Sequence, residues 1–172
     1  MSDAQSEPAS VEIDPSVFRK VLGHFPTGVT VVASQVGDRQ LGLAIGSFFS
    51  VSLDPPLVGF CVATTSGSWP HMAEVGSFGV SVLADDQHEM SNRFASKLED
   101  KFEGLSWEPA PVTGSPLIHD AVAHLDCDLH DQVTEGDHVV VIGRVRALEV
   151  HREEAGPLLF FRGAYGRHEP LG

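Results

Sequence analysis

The residues most able to do chemistry in this chain are His138 and a group of small and hydroxyl-bearing residues within 42–58. His138 follows Gly136-Asp137 and precedes a β-branched run, which predicts an imidazole at a sheet edge. In 42–58, small residues let a backbone approach a flat ligand closely, and serine hydroxyls can bond phosphate or ring oxygens. By itself, 42–58 is equally well explained as a strand that bends at glycine and continues into a polar loop. The small residues are Gly42, Ala44, Gly46 and Ser47, and the hydroxyls belong to Ser47, Ser50 and Ser52.

Local signals predict the elements that would position these residues, beginning with a helix. Asp14-Pro15 is a typical start, an N-cap followed by proline at the first helical position. The helix would run to about residue 24 and bury its apolar side. A β-branched strand over 29–34, a hairpin turn at Gly37-Asp38 and a strand over 41–46 would follow. The helix residues expected to be buried are Val17, Phe18, Val21 and Leu22.

The middle of the chain predicts further strands and two short helices. An apolar strand is expected over 57–64, a helix from Ser68 to about residue 75, and a strand over 78–83. Asp85 and Asp86 would then cap a helix ending near Phe94. Residues 97–116 lack periodicity and contain several prolines, so they read as a long loop, which in a compact domain is usually functional or disordered.

The segment 121–131 alternates cleanly between apolar and polar residues, which is typical of a half-exposed strand. The polar row would face solvent. Its histidines and aspartates are residue types that bind metals. Alternate residues on a strand lie roughly 6.6 Å apart, which is too far for a compact site, so no metal site is expected. Long strands and no βαβ alternation favour a closed or split antiparallel barrel with a few helices. The polar row consists of His124, Asp126, Asp128 and His130.

Composition excludes several functions. The 172 residues carry a formal charge of −13, which argues against a nucleic-acid or anionic-membrane partner. The start of the chain is polar and acidic, unlike a signal peptide, and no apolar run reaches transmembrane length. We therefore expect a cytoplasmic protein with Cys61 and Cys127 reduced, a disulfide between them being the weaker alternative. Residues 1–12 are expected to form a flexible tail, and 13–168 one domain.

Several segments, taken together in order and spacing, resemble the short-chain flavin reductase family, whose members serve two-component monooxygenases. The similarity extends from Phe18 to Tyr165. Within that family the chain looks most like reductases paired with hydroxylases of phenols and steroid-derived rings. The matching pieces are 25–32, 42–58, 66–70, 78–83, Gln87, 91–95, 100–104, 136–138 and 157–160.

This resemblance implies a split β-barrel homodimer that binds FMN or FAD without a Rossmann domain. Hydroxyls and amides near Ser66, Ser68 and the start of the helix at Trp69 would suit a phosphate. Arg93 would add a positive charge there, although without the family a pairing with Glu89 is favoured. The flavin contacts implied by the family match are Gln40, Leu41, Gly42, Leu43, Ala44, Gly46, Ser47, Cys61, Val62, Ala63, Gly67, Ser68, Arg93 and Phe94.

The family match also implies which residues lie near the nicotinamide, and it shows one place where this chain differs from the usual pattern. It places His138 near the nicotinamide and the flavin face, as the expected catalytic residue, and Tyr165 near the nicotinamide pocket. An ordinary strand-end histidine and a barrel-closing aromatic are the alternatives. Where many members carry Thr and Asn, this chain has Ala44 and Gly46, so two side-chain hydrogen bonds to the flavin ring are missing or are made by backbone.

The sequence therefore predicts an enzyme that transfers a hydride from NADH or NADPH to FMN or FAD and supplies reduced flavin to a separate oxygenase. The small number of basic residues leans towards NADH, because a 2′-phosphate favours a cation. Two alternatives remain: a flavin carrier without turnover, and a split-barrel flavoprotein acting on another substrate. A homodimer is expected because apolar faces such as 57–62 would need a cover.

Overall fold

The computed structural model describes residues 12–171, and it confirms a mainly β fold with a few helices. The predicted tail, apart from its last residue, lies outside the described residues. The helices are α1 (Pro15–Leu22), α2 (Trp69–Val75) and α3 (His88–Ala95). The strands are β1 (Thr27–Gly28), β2 (Thr30–Val36), β3 (Arg39–Ile45), β4 (Phe49–Leu53), β5 (Pro56–Ala63), β6 (Ser77–Val82), β7 (Trp107–Pro109), β8 (Pro116–Ile118), β9 (Ala123–Glu135), β10 (His138–Val150), β11 (Leu159–Phe161) and β12 (Ala164–Gly166).

Seven strands form one antiparallel sheet in the order β3-β2-β6-β9-β10-β5-β4. The predicted hairpin between β2 and β3 is confirmed, and Gly37 adopts the positive φ of 58° that its turn requires. The sheet is open, yet its two ends approach each other. Ser47, just after β3, accepts the Cys61 N–H of β5 at 2.9 Å and donates to the Cys61 carbonyl at 3.2 Å. This contact brings the end of β3 beside β5.

The sheet separates two apolar clusters. The first contains Phe60, Phe78 and Trp69, whose rings meet edge to face at centroid distances of 5.3–6.4 Å. The second contains Phe94 and Phe102, whose ring centroids lie 5.1 Å apart, together with residues of β2. Because buried aromatic rings contribute large apolar areas, these clusters fix where α2 and α3 lie on the sheet.

Helix α1 confirms the predicted start but not the predicted burial. The Asp14 carboxylate accepts the Ser16 N–H at 2.7 Å, which satisfies one of the free amides of the first turn. The helix ends at Leu22, because the chain turns at Gly23. No residue of α1 is buried: Val17, Phe18, Val21 and Leu22, expected in the core, are 50–61% exposed. The expectation was wrong because an amphipathic pattern reveals an apolar side but not what covers it.

The apolar stretch 57–62, expected to need a cover, is already covered by the chain itself. Val58, Phe60 and Val62 are at most 7% exposed and belong to the first cluster. Exposed apolar side chains lie instead on several other elements, among them α1 and the edge strand β4. On β4, Phe49, Val51 and Leu53 are 43%, 44% and 95% exposed.

Two local predictions around α3 and the following segment are also corrected. Asp85 and Asp86 do not cap α3, because the N-cap position is Gln87. The Asp86 carboxylate instead pairs with Arg152 at 3.0 Å, which lowers the pKa of Asp86. The segment 97–116 is not a continuous loop, since it contains β7 and the start of β8, which pair as a small hairpin.

The β7–β8 hairpin explains why the polar row on β9 is not fully exposed. His124 and Asp126, expected to face solvent, are only 5% and 1% exposed. Asp126 accepts hydrogen bonds from the N–H groups of Val112 and Thr113 and from the Thr113 hydroxyl. His130, further along, is exposed as expected. The alternation correctly indicated a strand, but the cover comes from residues distant in sequence.

Both cysteines are free thiols, so the reduced alternative is confirmed. Cys127 lies in the core with no exposed surface. Burial, reinforced by the neighbouring Asp126 and Asp128 carboxylates, raises the pKa of its thiol to about 12. No helix within residues 12–171 is long and apolar enough to span a membrane.

Candidate functional site

A cleft of about 520 Å³ opens between the ends of β3 and β5, the segment before α2, and the end of α3 with the residues that follow it. The strands contribute apolar residues, of which Ala44 and Ala63 are small, and the far wall carries two lysines. A cleft of this composition suits a flat ligand with an anionic group. It is lined by Leu43, Ala44, Ile45, Cys61, Val62, Ala63, Thr65, Ser66, Gly67, Ser68, Phe94, Ala95, Ser96, Lys97, Leu98 and Lys101.

Gly42 allows α3 to pack directly on β3, beside the cleft. A Cβ at Gly42 would lie 2.5 Å from Cε1 and 2.8 Å from Cδ1 of Phe94. Phe94 is 1% exposed and forms part of the cleft wall. The glycine is therefore required for close packing of an aromatic ring from the chain itself, whereas the sequence suggested close approach of a ligand.

The segment 97–105, which forms the far wall, is held by side chains bonded to backbone. Asp100 accepts the N–H groups of Phe102 and Glu103 at 2.9 and 3.0 Å. Arg93 of α3 donates its Nε–H to the Lys101 carbonyl at 2.7 Å and its guanidinium also bonds the Glu103 carbonyl. Arg93 is thus committed to this segment rather than paired with Glu89.

Lys101 connects this wall to the opposite side of the cleft. Its ammonium donates to the Phe94 carbonyl at 2.7 Å and to the Gly42 carbonyl at 3.3 Å. Partial burial lowers its pKa. Since an ammonium has three N–H donors, one remains for a ligand in the cleft. Lys97 adds a second, exposed cation to the same wall.

The cleft brings together many, but not all, of the residues that the sequence assigned to a flavin. Those within its lining are Leu43, Ala44, Cys61, Val62, Ala63, Gly67, Ser68 and Phe94. Those outside it are Gln40, Leu41, Gly42, Gly46, Ser47 and Arg93. Leu41 and Gln40 line separate depressions on the neighbouring surface, of about 390 and 510 Å³. Gly42, Ser47 and Arg93 position the walls through the contacts described above. Their roles towards a ligand stay predictions.

The lysines of the cleft were missed by the sequence reasoning as site residues, as were Thr65, Ala95 and Ser96. One signal could have found Lys97 and Lys101. Cations are few in this acidic chain, eleven against twenty-four Asp and Glu. Two of them lie just beyond Phe94, within the segment read as a functional or disordered loop.

His138 is not among the residues that line the cleft, but it lies next to one of them. As the first residue of β10 it pairs with Ala63 of β5, and cross-strand partners project to the same face. Its Nδ1 lies 2.7 Å from Oδ1 of Asp137, and this contact lowers the pKa of Asp137. A carboxylate only accepts, so Nδ1 carries the proton and Nε2 of the neutral ring is left as an acceptor. The backbone of Asp137 is held by Thr64, which donates to its carbonyl from both N–H and hydroxyl.

Tyr165 is not among the residues of the cleft. Its hydroxyl lies 2.9 Å from both Ser91 Oγ and Asn92 Oδ1, and its ring packs on Phe160. These contacts fasten β12 to α3, the helix that carries Phe94. The nicotinamide role inferred for Tyr165 stays a prediction, beside an observed packing role.

Comparison with known proteins identifies the family. The family described as "Flavin reductase like domain" matches residues 22–169. The chain belongs to the flavin reductase-like family. Among curated relatives, a flavin reductase of Pseudomonas putida is 48% identical over 167 residues, covering 96% of this chain and 97% of the relative. The reductase subunit HsaB of a flavin-dependent monooxygenase from Mycobacterium tuberculosis is 45% identical over 162 residues, covering 94% and 86%.

A solved member of this flavin reductase-like family has the same architecture. An NADH:FAD oxidoreductase of Streptomyces globisporus, solved with NAD and FAD fragments, superposes with a TM-score of 0.85 at 36% identity. The match covers 94% of this chain and 98% of that one. The family resemblance read from the sequence is therefore confirmed.

Proposed function

We propose that this protein is an NAD(P)H-dependent flavin reductase that supplies reduced FMN or FAD to a separate monooxygenase component. The observation that carries the proposal is the cleft, where apolar residues of β3 and β5 face two lysines and where His138 is the cross-strand neighbour of the lining residue Ala63. The activities of the two relatives described above, a flavin reductase and a monooxygenase reductase subunit, support it.

The cleft fits a flavin in size and in donors. Backbone along Leu43–Ile45 and 61–63 would face the ring, and the hydroxyls of Ser66 and Ser68 with Lys97 and Lys101 would face the phosphate. Ser66 Oγ already accepts the Trp69 N–H at 3.2 Å, so it would donate its own proton. When bound, a flavin takes up two electrons from reduced nicotinamide and carries them to the oxygenase.

His138 would orient the nicotinamide rather than transfer a proton. With its proton held at Nδ1 by Asp137, the imidazole presents Nε2 as an acceptor for the N–H of the nicotinamide carboxamide. Hydride transfer between two stacked rings depends chiefly on their relative position. A hydrogen bond from the carboxamide to Nε2 would fix that position.

Ala44 favours a diffusing flavin over a tightly held one. Ala44 lines the cleft and has no side-chain hydroxyl that could bond the ring. Without that hydrogen bond, affinity is expected to be lower by about 1 kcal/mol. A protein that must release reduced flavin to a partner is served by such weaker binding, whereas a carrier is not. We propose NADH rather than NADPH as the hydride donor, because the chain has few cations to bind a 2′-phosphate.

A nicotinamide oxidation assay tests the proposal. The purified protein is mixed with NADH or NADPH and an excess of FMN or FAD, and the loss of absorbance of reduced nicotinamide is followed. We expect catalytic turnover that depends on free flavin. Bound yellow flavin with no turnover would instead identify a carrier, and turnover only with an added third substrate would identify a different oxidoreductase.

We further infer that residues 13–168 form a split-barrel domain that acts in the cytoplasm as a homodimer. The open sheet supports the split barrel, and the exposed apolar residues of α1 and β4 support the dimer. Burying such surface contributes roughly 25 cal/mol per Å². Light scattering at micromolar concentration is expected to give twice the chain mass of 18.4 kDa, and a mass near a single chain contradicts the inference.

A further inference from the structure

His124 has an unusual environment away from the cleft. It lies on β9, beneath the β7–β8 hairpin, and is 5% exposed. Its Nε2 lies 2.7 Å from the Ile118 carbonyl, which can only accept, so Nε2 carries the ring proton. The other nitrogen, Nδ1, is buried and has no hydrogen-bond partner among residues 12–171. A buried polar atom of this kind calls for an explanation.

The groups that face this nitrogen are themselves electron donors. Glu108 Oε1 of β7 lies 3.8 Å from His124 Nδ1, and the His151 ring lies 4.4 Å from the His124 ring, centroid to centroid. A bare imidazole nitrogen and a carboxylate oxygen repel each other unless something electropositive lies between them. A cation bound between them would meet this need, and Nε2 would keep its proton for the Ile118 carbonyl.

We propose that Glu108, His124 and His151 bind one Zn²⁺ ion per chain. One ligand atom from each of the three lies within 4.8 Å of the others. Around Zn²⁺, bonds of about 2.0–2.2 Å place ligand atoms roughly 3.5 Å apart, so Glu108 and His151 would each move by about 1 Å while His124 stays in place. Glu108 and His151 are exposed and can make this movement by rotation. The expectation of no metal site rested on the spacing along β9 alone, whereas these ligands come from three segments.

The ligand set selects the metal class. Two imidazoles and one carboxylate suit Zn²⁺ and its borderline neighbours, whereas Ca²⁺ and Mg²⁺ prefer oxygen ligands alone. The site opens on a cavity of about 280 Å³ that Glu149 also lines. Glu149 is the cross-strand partner of His124, so either its carboxylate or a water would complete the coordination.

A metal at this position would join the β7–β8 hairpin to the long β9–β10 pair. Glu108 belongs to β7, His124 to β9, and His151 directly follows β10. His119, whose Nε2 lies 3.9 Å from Glu108 Oε2, would orient the carboxylate from the outer side. Binding only to the folded chain would raise its melting temperature.

Zinc titration of untagged protein tests the site. A chromophoric chelator competes for Zn²⁺, and Co²⁺ substitution is followed by its visible d–d bands, which are intense for four-coordinate nitrogen and oxygen ligation. We expect one Zn²⁺ per chain, a higher melting temperature with Zn²⁺ and no response to Ca²⁺ or Mg²⁺. Because Glu108 and His151 are exposed, Glu108→Gln and His151→Gln should fold normally and lose Zn²⁺ affinity by at least about tenfold.

His130→Gln is the matched control, since His130 lies on the same strand and is exposed. This variant should bind Zn²⁺ as the wild type does. Wild-type protein that binds no Zn²⁺ overturns the proposal. So does binding that survives both Glu108→Gln and His151→Gln, because it would place the ion on other histidines of the chain.

Discussion

Replacing Gly42 by alanine should destabilise the protein and deform the cleft. The new Cβ would lie 2.5 Å from Cε1 and 2.8 Å from Cδ1 of Phe94. Carbon atoms in contact prefer about 3.5–4.0 Å, so the ring must shift by roughly 1 Å. Phe94 is 1% exposed and its ring meets that of Phe102 at 5.1 Å, which leaves little room.

Overpacking of this kind costs about 1–3 kcal/mol of unfolding free energy. For a chain of this size, each kcal/mol lowers the melting temperature by about 2–4 °C. Urea unfolding, followed by tryptophan fluorescence at matched protein concentration, measures the change. Because Phe94 also lines the cleft, a flavin fluorescence titration of Gly42→Ala should show weaker binding as well.

Gly67→Ala is the matched control, because Gly67 also lines the cleft but an added Cβ meets nothing within 4 Å. Its stability should stay within about 0.5 kcal/mol of the wild type or rise slightly. The reasoning is refuted if Gly42→Ala is as stable as the wild type, or if Gly67→Ala is destabilised equally.

Four further outcomes are expected. His138→Ala should raise the KM for NADH or lower kcat by about tenfold, roughly 1.4 kcal/mol, with little change in flavin affinity; loss of flavin with normal turnover at saturating flavin would assign His138 to the flavin instead. Lys101→Met should weaken flavin binding about tenfold in a quenching titration, whereas Lys20→Met on α1 should not, and equal affinities would exclude Lys101 from the phosphate. Asp126→Ala should lower the free energy of unfolding in urea by about 2–3 kcal/mol, because it leaves the N–H groups of Val112 and Thr113 without an acceptor. Asp126→Asn should lower it less. In Cys61→Ser protein, Cys127 should resist thiol reagents at pH 8 until the chain unfolds, since its pKa is about 12; prompt labelling of the native protein would contradict that.

Much of the strand and helix order follows from local signals. Asp14-Pro15, Gly37-Asp38 and the β-branched run of β2 each act within a few residues, so they could be interpreted without the fold. The burial of side chains on β9 could not be predicted from local signals. His124 and Asp126 are covered by a hairpin whose strands came from a segment without periodicity, and such cover depends on long-range packing.

The candidate site likewise contains residues that the sequence could identify and residues that it could not. Leu43, Ala44 and Ala63, which line the cleft, were assigned through the family resemblance of the strand segments that carry them. Lys97 and Lys101 were not assigned to the site, because their position depends on the hydrogen bonds by which Arg93 and Asp100 hold the segment after α3. A side chain that bonds backbone in this way leaves little trace in composition or periodicity.

The two lysines of the cleft have a kinetic consequence in a chain of net charge −13. At a distance, the overall negative field repels an anionic flavin, and only within the cleft do Lys97 and Lys101 attract it. Added salt, with a screening length of about 10 Å at 0.1 M, weakens both effects. Moderate ionic strength should therefore speed arrival and departure together, changing the equilibrium constant less than either rate. Exchange of flavin is therefore expected to be fastest where salt screens both the outer repulsion and the attraction within the cleft.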